Sequence, residues 1–171
     1  ESGFKGGKAN VSPEQMAAVC EEAKLQGPRC IVHAHASDSI IPAIKAGATQ
    51  IEHGGWADDA ALKAITDANV FFDPTMSWAA IIVEHKDELM RSGRQDANTI
   101  ERIEESISRH RPIFQKALAA GLRMPNRSDI NYGHGENARE IIMRVEAGQK
   151  PMDAIGGANR SQPNRAFTFA T

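Results

Sequence analysis

The feature that most limits the folds open to this chain is an alternation of short apolar strands with capped helices between residues 12 and 73. Ser12-Pro13-Glu14-Gln15 predicts a helix start, with Ser at the N-cap, Pro at the first helical position and Gln three residues on to complete a capping box. Met16, Val19, Cys20 and Ala23 follow at helical spacing, and Gly27-Pro28 stops the run. Residues 30–36, Cys-Ile-Val-His-Ala-His-Ala, form a strand. Ser37-Asp38 can cap a short helix that carries Ile40, Ile41 and Ile44 and ends at Gly47. A second strand covers Thr49 to His53 and stops at Gly54-Gly55. Asp58 or Asp59 caps the next helix, which buries Leu62 and Ile65, and a third strand spans Val70 to Asp73. Alternation of this kind predicts parallel βαβ units with right-handed crossovers.

Beyond Pro74 and Thr75 the stretch from about 77 to 120 is helical in pieces, with Asp96 a candidate cap and Gly121 a stop. A weak fourth strand is expected over Leu122 to Asn126, then a helix from Glu136 to Ala147 and the start of another at Met152 to Ile155. Residues 1–11 and 156–171 read as loop around a single unit. Composition supports a globular chain: 41% of the residues are hydrophobic and 25% charged, and the formal charge is −2. That balance offers no electrostatic drive toward nucleic acid. No apolar run approaches the roughly 20 residues needed to span a bilayer. The opening residues Glu1 to Gly6 lack the apolar core of a signal peptide. Cys20 and Cys30 lack metal-ligand spacing and are too few for a disulfide scaffold, so both are expected as ordinary semi-buried thiols.

Three of the six histidines fall at strand ends. His33 and His35 are two apart on one strand and share a face, and His53 ends the next. The carboxyl ends of neighbouring parallel strands lie side by side where ligands bind, so His33 and His53 come within reach of one cation. Neutral imidazole is the commonest metal ligand, with Zn–N contacts of about 2.0–2.1 Å. Either histidine alone reads more simply as a buried ring satisfied by backbone; the pair at successive strand ends favours a metal. Asp129, after the fourth strand, can ligate a metal or accept a proton from water, although on spacing alone a turn cap is the better reading. His134, between Gly133 and Gly135, is a substrate contact or a solvated loop residue. Asp73 and Thr75 close the third strand at the end suited to substrate, or open a turn. Alternation points Glu52 away from the pocket, while His85 and His110 lie in charge-rich helical sequence as surface residues. The chain has no Gly-x-Ser-x-Gly elbow, P-loop, dinucleotide fingerprint or His-Glu-x-x-His.

Ile31-Val32-His33-Ala34-His35-Ala36, Ala43-Ile44-Lys45-Ala46-Gly47-Ala48 and Ile51-Glu52-His53-Gly54 together resemble the amidohydrolase superfamily, in its imidazolonepropionase-like and prolidase-type branch. Phe72-Asp73-Pro74-Thr75, Lys116 to Gly121, Ser128-Asp129, His134-Gly135 and Val145 to Ala154 are similar to later parts of the same pattern. The resemblance implies a partial TIM-type (β/α)8 metal-dependent hydrolase barrel, here roughly its last four βα units. A whole barrel needs about 250 residues, and this chain has 171. It further implies one or two divalent ions, zinc foremost, that activate water to hydrolyse an amide or other C–N bond of a small-molecule or dipeptide-like substrate. His33, His53 and Asp129 would be the metal ligands, with Asp129 also the catalytic base. His35 would be a substrate contact or the true ligand in place of His33, and His134 and Thr75 would be substrate contacts. The family's first-strand His-x-His and fourth-strand Lys have no counterpart in these residues. Arg127 stands where the family has Gly, and Pro125 falls inside the expected fourth strand. Weak metal binding and little turnover are therefore expected of the chain by itself. It would need an N-terminal half or a second copy, or else serve as a non-catalytic half-barrel module that joins a partner.

Overall fold

The computed structural model describes residues 10–160; the loops expected at 1–9 and 161–171 lie outside the described residues. The first helix, α1 (Pro13–Gln26), starts as its sequence dictates. The Ser12 hydroxyl accepts the Gln15 N–H at 3.2 Å, and the Gln15 side chain accepts the Ser12 N–H at 2.9 Å. Gly27, at φ 91°, closes it in the left-handed region. Strand β1 (Ile31–Ala36) leads directly into α2 (Ser37–Lys45), β2 (Gln50–Trp56), α3 (Asp59–Asp67) and β3 (Phe71–Asp73). The Ser37 hydroxyl does not cap α2 as expected; it donates to Asp58, which caps α3 by accepting the Ala61 N–H at 2.9 Å. One carboxylate therefore ties the starts of two successive helices together.

The three strands form a parallel sheet in the order β1-β2-β3. Val32, Ala34, Ile51 and Phe72 face the helical layer and form its core with Ile40, Leu62, Ile65, Ile113 and Phe114. The other face carries the ionisable groups together with Ile31 and Phe71. Register places His33 beside Glu52 and Glu52 beside Asp73, so these three side chains project to the same side.

The helical stretch after β3 divides into α4 (Met76–Glu84), α5 (Lys86–Arg91) and α6 (Ala97–Ala119), with Asp96 capping α6 through the Thr99 N–H at 2.8 Å. Ala79, Ile82, Leu89, Ile100 and Ile103 make a second, smaller core. No ladder forms over Leu122–Asn126, where a fourth strand was expected. The segment gives one strand-like bond, Phe72 N–H to the Arg123 carbonyl at 3.0 Å. Pro125 has no N–H to continue it. Beyond come α7 (Ala138–Glu146) and α8 (Pro151–Arg160), the latter running helical through Gly156 and Gly157, where loop was expected. No helix among the described residues is long and apolar enough to cross a membrane.

The cysteines are not free thiols. Cys20 on α1 and Cys30 at the mouth of β1 are bonded to each other, both buried. The Gly27-Pro28 turn folds the chain back so that their Cα atoms lie 5.2 Å apart, inside the range a disulfide spans. The pairing depends on this turn and not on the number of cysteines, which is why the count alone misled.

A buried ionic cluster joins α7 to the side of the sheet that carries the ionisable groups. Arg144, fully buried, donates to Asp73 at 2.7 Å and to Glu140 at 3.0 Å, and Glu140 accepts the Ser77 N–H at 2.7 Å. Burial pushes the Asp73 carboxyl well above the usual carboxylate range, against the pull of Arg144. Removing one partner from such a cluster leaves buried charge uncompensated. Arg144→Met is therefore expected to lower the unfolding free energy by about 3–5 kcal/mol in urea titrations; a loss below about 1 kcal/mol would show that the cluster contributes specificity and not stability.

Candidate active site

Strand alternation carries His33 and His35 to the same face of the sheet as Glu52. The same rule would turn His53 the other way, because its register partner is Ala34, a core residue with no exposure. His53 escapes by adopting the left-handed conformation, φ 73°, followed by Gly54 at φ 57°. Only glycine suits position 54, since a Cβ there would lie 2.4 Å from the Phe72 ring. The turn swings the His53 ring over the strand ends. Its centroid lies 4.3 Å from that of His33 and 5.3 Å from that of His35, and the His33 and His35 centroids are 4.7 Å apart.

Two further residues at this end share the unusual backbone. Thr75 has φ 40° and Asp129 φ 48°, so three of the four non-glycine residues with positive φ among the described residues meet at one place. Left-handed backbone costs a non-glycine residue of order 1–3 kcal/mol and persists only where its surroundings impose it. His53 Nδ1 lies 2.5 Å from Thr75 Oγ1, and His53 Nε2 lies 3.9 Å from Asp129 Oδ2, beyond hydrogen-bonding reach. Burial draws the pKa of His53 down to about 3, helped by the neighbouring His33 and His35, and burial draws that of His35 to about 3, helped by His33 and His110. Asp129 remains half-exposed, and partial desolvation raises its pKa, offset in part by His33.

The sequence-derived candidates thus separate. His33, His35, His53, Thr75 and Asp129 gather at the carboxyl ends of β1, β2 and β3. His134 stands exposed in the turn after Gly133 and makes no hydrogen bond among the described residues. Thr75 is 3% exposed and faces His53, not the solvent. Asp73 is sealed in the ionic cluster and is not available to substrate.

Two residues need correcting. Glu52 does not point away from the pocket. It sits beside His33, accepts Gln50 Nε2–H at 2.6 Å and lies 3.8 Å from Arg127, and burial raises its pKa. The error came from counting alternation back from His53, the residue that breaks it. His110 is not a surface residue either. It reaches from α6 into the notch left by Gly55, where a Cβ would lie 2.7 Å from His110 Nε2 and 3.5 Å from His35 Nδ1. Burial lowers its pKa to about 4. The paired glycines at 54 and 55 were the available signal, since two consecutive missing side chains at a strand end invite close approach.

Imidazole nitrogens and a carboxylate are suitable donors for zinc. Among the described residues, however, no three His, Cys, Asp or Glu side chains converge closely enough to hold a metal ion. The donor chemistry fits, but the set is short of a complete site.

A mixed α/β chain with a small parallel sheet, histidines over its strand ends and an adjacent strained aspartate defines a class, and comparison with known proteins agrees with it. Residues 6–171 match the model of the amidohydrolase family, and the chain belongs to that family. It is 27% identical over 156 residues to the ochratoxinase of Aspergillus niger, covering 91% of this chain but 31% of that protein. Among solved structures, a Xaa-Pro dipeptidase with methionine bound in its active site aligns with a TM-score of 0.79 and 28% identity, over 91% of this chain and 38% of that one. The crystal structure of the A. niger ochratoxinase aligns with a TM-score of 0.76 and 25% identity, over 90% and 33%. The chain therefore spans roughly a third of the length of these relatives.

The neutral state of His110 has a checkable consequence. Its pKa is about 4 folded against an ordinary 6.5, so the unfolded chain binds a proton that the folded chain refuses between those values. The resulting stability is complete above pH 6.5 and is lost as pH falls toward 4. Relative to His110→Gln, the wild type should lose stability over that window, by at most about 1.4 kcal/mol per pH unit. Urea unfolding at several pH values tests this, and a constant difference between the two proteins would contradict it.

Proposed function

We propose that this chain is the carboxy-terminal part of a metal-dependent amidohydrolase barrel that cleaves an amide or other C–N bond. On this reading it holds roughly the last four βα units of a (β/α)8 barrel, with segment 122–126 in the place of the eighth strand. One observation carries the reading: in a member of the amidohydrolase family, His33, His53 and Asp129 come together at the carboxyl ends of parallel strands. His33 and His53 would hold one of one or two divalent ions, zinc foremost, with donors outside the described residues completing the site. When bound, the metal supplies a deprotonated water near neutral pH and polarises the scissile carbonyl.

The chain's own residues account for the rest. Asp129, half-exposed with its pKa raised by partial burial, is the general base that takes the proton of the attacking water. His35, buried beside both ligands, and Glu52, on the same face, shape and charge the floor of the pocket. Xaa-Pro dipeptides and ochratoxin are the substrates to try first, given the dipeptidase and ochratoxinase likenesses.

A second reading has its own support. β1 and β3 bound a three-stranded sheet whose edges invite further strands, so the chain would serve as a half-barrel module that joins a partner or a second copy. Both readings predict weak zinc binding and little turnover from the 171-residue chain by itself. They part when an amino-terminal half-barrel from a prolidase-type relative is supplied. The hydrolase reading expects zinc-dependent cleavage to appear and Asp129→Asn to reduce it by about 100-fold or more, the range for loss of a general base. No cleavage by the reconstituted barrel, or an Asp129→Asn rate within twofold of the parent, would count against it.

A further inference from the structure

We propose that Thr75 is the positioning residue of His53. It fixes the ring tautomer by accepting the Nδ1–H, which leaves the Nε2 lone pair turned toward Asp129. The proposal rests on the functional reading above for the use made of Nε2, and on geometry alone for the tautomer.

The geometry begins with the contact itself. His53 Nδ1 and Thr75 Oγ1 are 2.5 Å apart, whereas the partner nearest to Nε2, Asp129 Oδ2, is 3.9 Å away. A proton on Nε2 would have no hydrogen bond to Asp129 at that distance. A proton on Nδ1 falls in the short contact. The hydroxyl is well placed to receive it because nothing about Thr75 is loose. The residue is 3% exposed and held at φ 40°, a conformation that a β-branched side chain adopts only under constraint. Two residues before it, Asp73 is gripped by Arg144 at 2.7 Å inside the fully buried ionic cluster. The contact with His53 thus sits on a segment anchored to α7 through Asp73. It gives the strained backbone at Thr75 a purpose that direct substrate contact would not explain, because the hydroxyl is not presented to the solvent.

A ligating imidazole whose second nitrogen is oriented in this manner loses about 10- to 100-fold in metal affinity when the orienting partner is removed. Thr75→Val keeps the β-branch and the volume and deletes only the hydroxyl; Thr75→Ser keeps the hydroxyl. In the full 171-residue chain, nitrogen-15 correlation spectra of the histidine rings should show His53 as the Nδ1–H tautomer in the wild type and in Thr75→Ser. In Thr75→Val it should be mixed or inverted. Zinc titrations followed by calorimetry should show affinity reduced about tenfold in Thr75→Val and restored by Thr75→Ser.

An Nε2–H tautomer in the wild type would overturn the proposal, even if Thr75→Val failed to fold. So would an unchanged tautomer together with unchanged zinc affinity in a folded Thr75→Val. A residue that serves stability alone would lower the melting temperature of Thr75→Val without moving either readout. If the wild type bound no zinc, the metal reading would fall while the tautomer measurement still decided the role of Thr75.

Discussion

A parallel strand presents alternate residues to opposite faces, and nothing in that rule brings the side chains of residues 33 and 53 together, because the register pairs His33 with Glu52 and His53 with Ala34. The left-handed step at His53 reconciles them. Two neighbours hold that step: the Phe72 ring fills the space a side chain at position 54 would need, and Thr75, itself buried at φ 40°, meets the imidazole at Nδ1. The cost of three left-handed non-glycine residues is met by the packing of two cores and a buried ionic cluster. Strain gathered at one end of a sheet, where ligands bind in α/β folds, supports the proposed site.

The two faces of the sheet have different tasks. The helix-facing side, with Val32, Ala34, Ile51 and Phe72, supplies cohesion. The opposite side carries His33, Glu52 and Asp73 in register and keeps ionisable groups where water is scarce. Scarcity of water keeps the imidazoles of His35, His53 and His110 neutral and raises the carboxyls of Glu52 and Asp129. Neutral imidazoles are the form that donates lone pairs, and a carboxylate with a raised pKa is a stronger proton acceptor, so burial suits both to the roles proposed for them.

Much of this was legible in the order of residues. The capping box at Ser12, the caps at Asp58 and Asp96, and the three strands follow from local rules, since each depends on side chains within a few positions. The gathering of His33, His35 and His53 was also readable, although for His53 the path differs from simple alternation. What escaped was non-local. The Cys20–Cys30 bond depends on how a turn folds back, and the burial of His110 depends on a helix docking against Gly55 more than fifty residues away in sequence. The Arg144–Asp73 pair spans an interval that no pattern marks, and the fourth strand was a period without a ladder because Pro125 lacks a donor. Glu52 was misplaced because the one residue used to set the phase is the one that breaks it.

The most direct test of this account asks where the His53 ring lies. In a chain labelled at its histidine rings and isoleucine methyls, nuclear Overhauser spectra should show contacts from the His53 ring protons to those of His33 and His35, consistent with centroids 4.3 and 5.3 Å away. Contacts instead to the methyls of Ile40 or Ile65, on the helix-facing side, would place the ring where plain alternation sends it and would contradict the site described above.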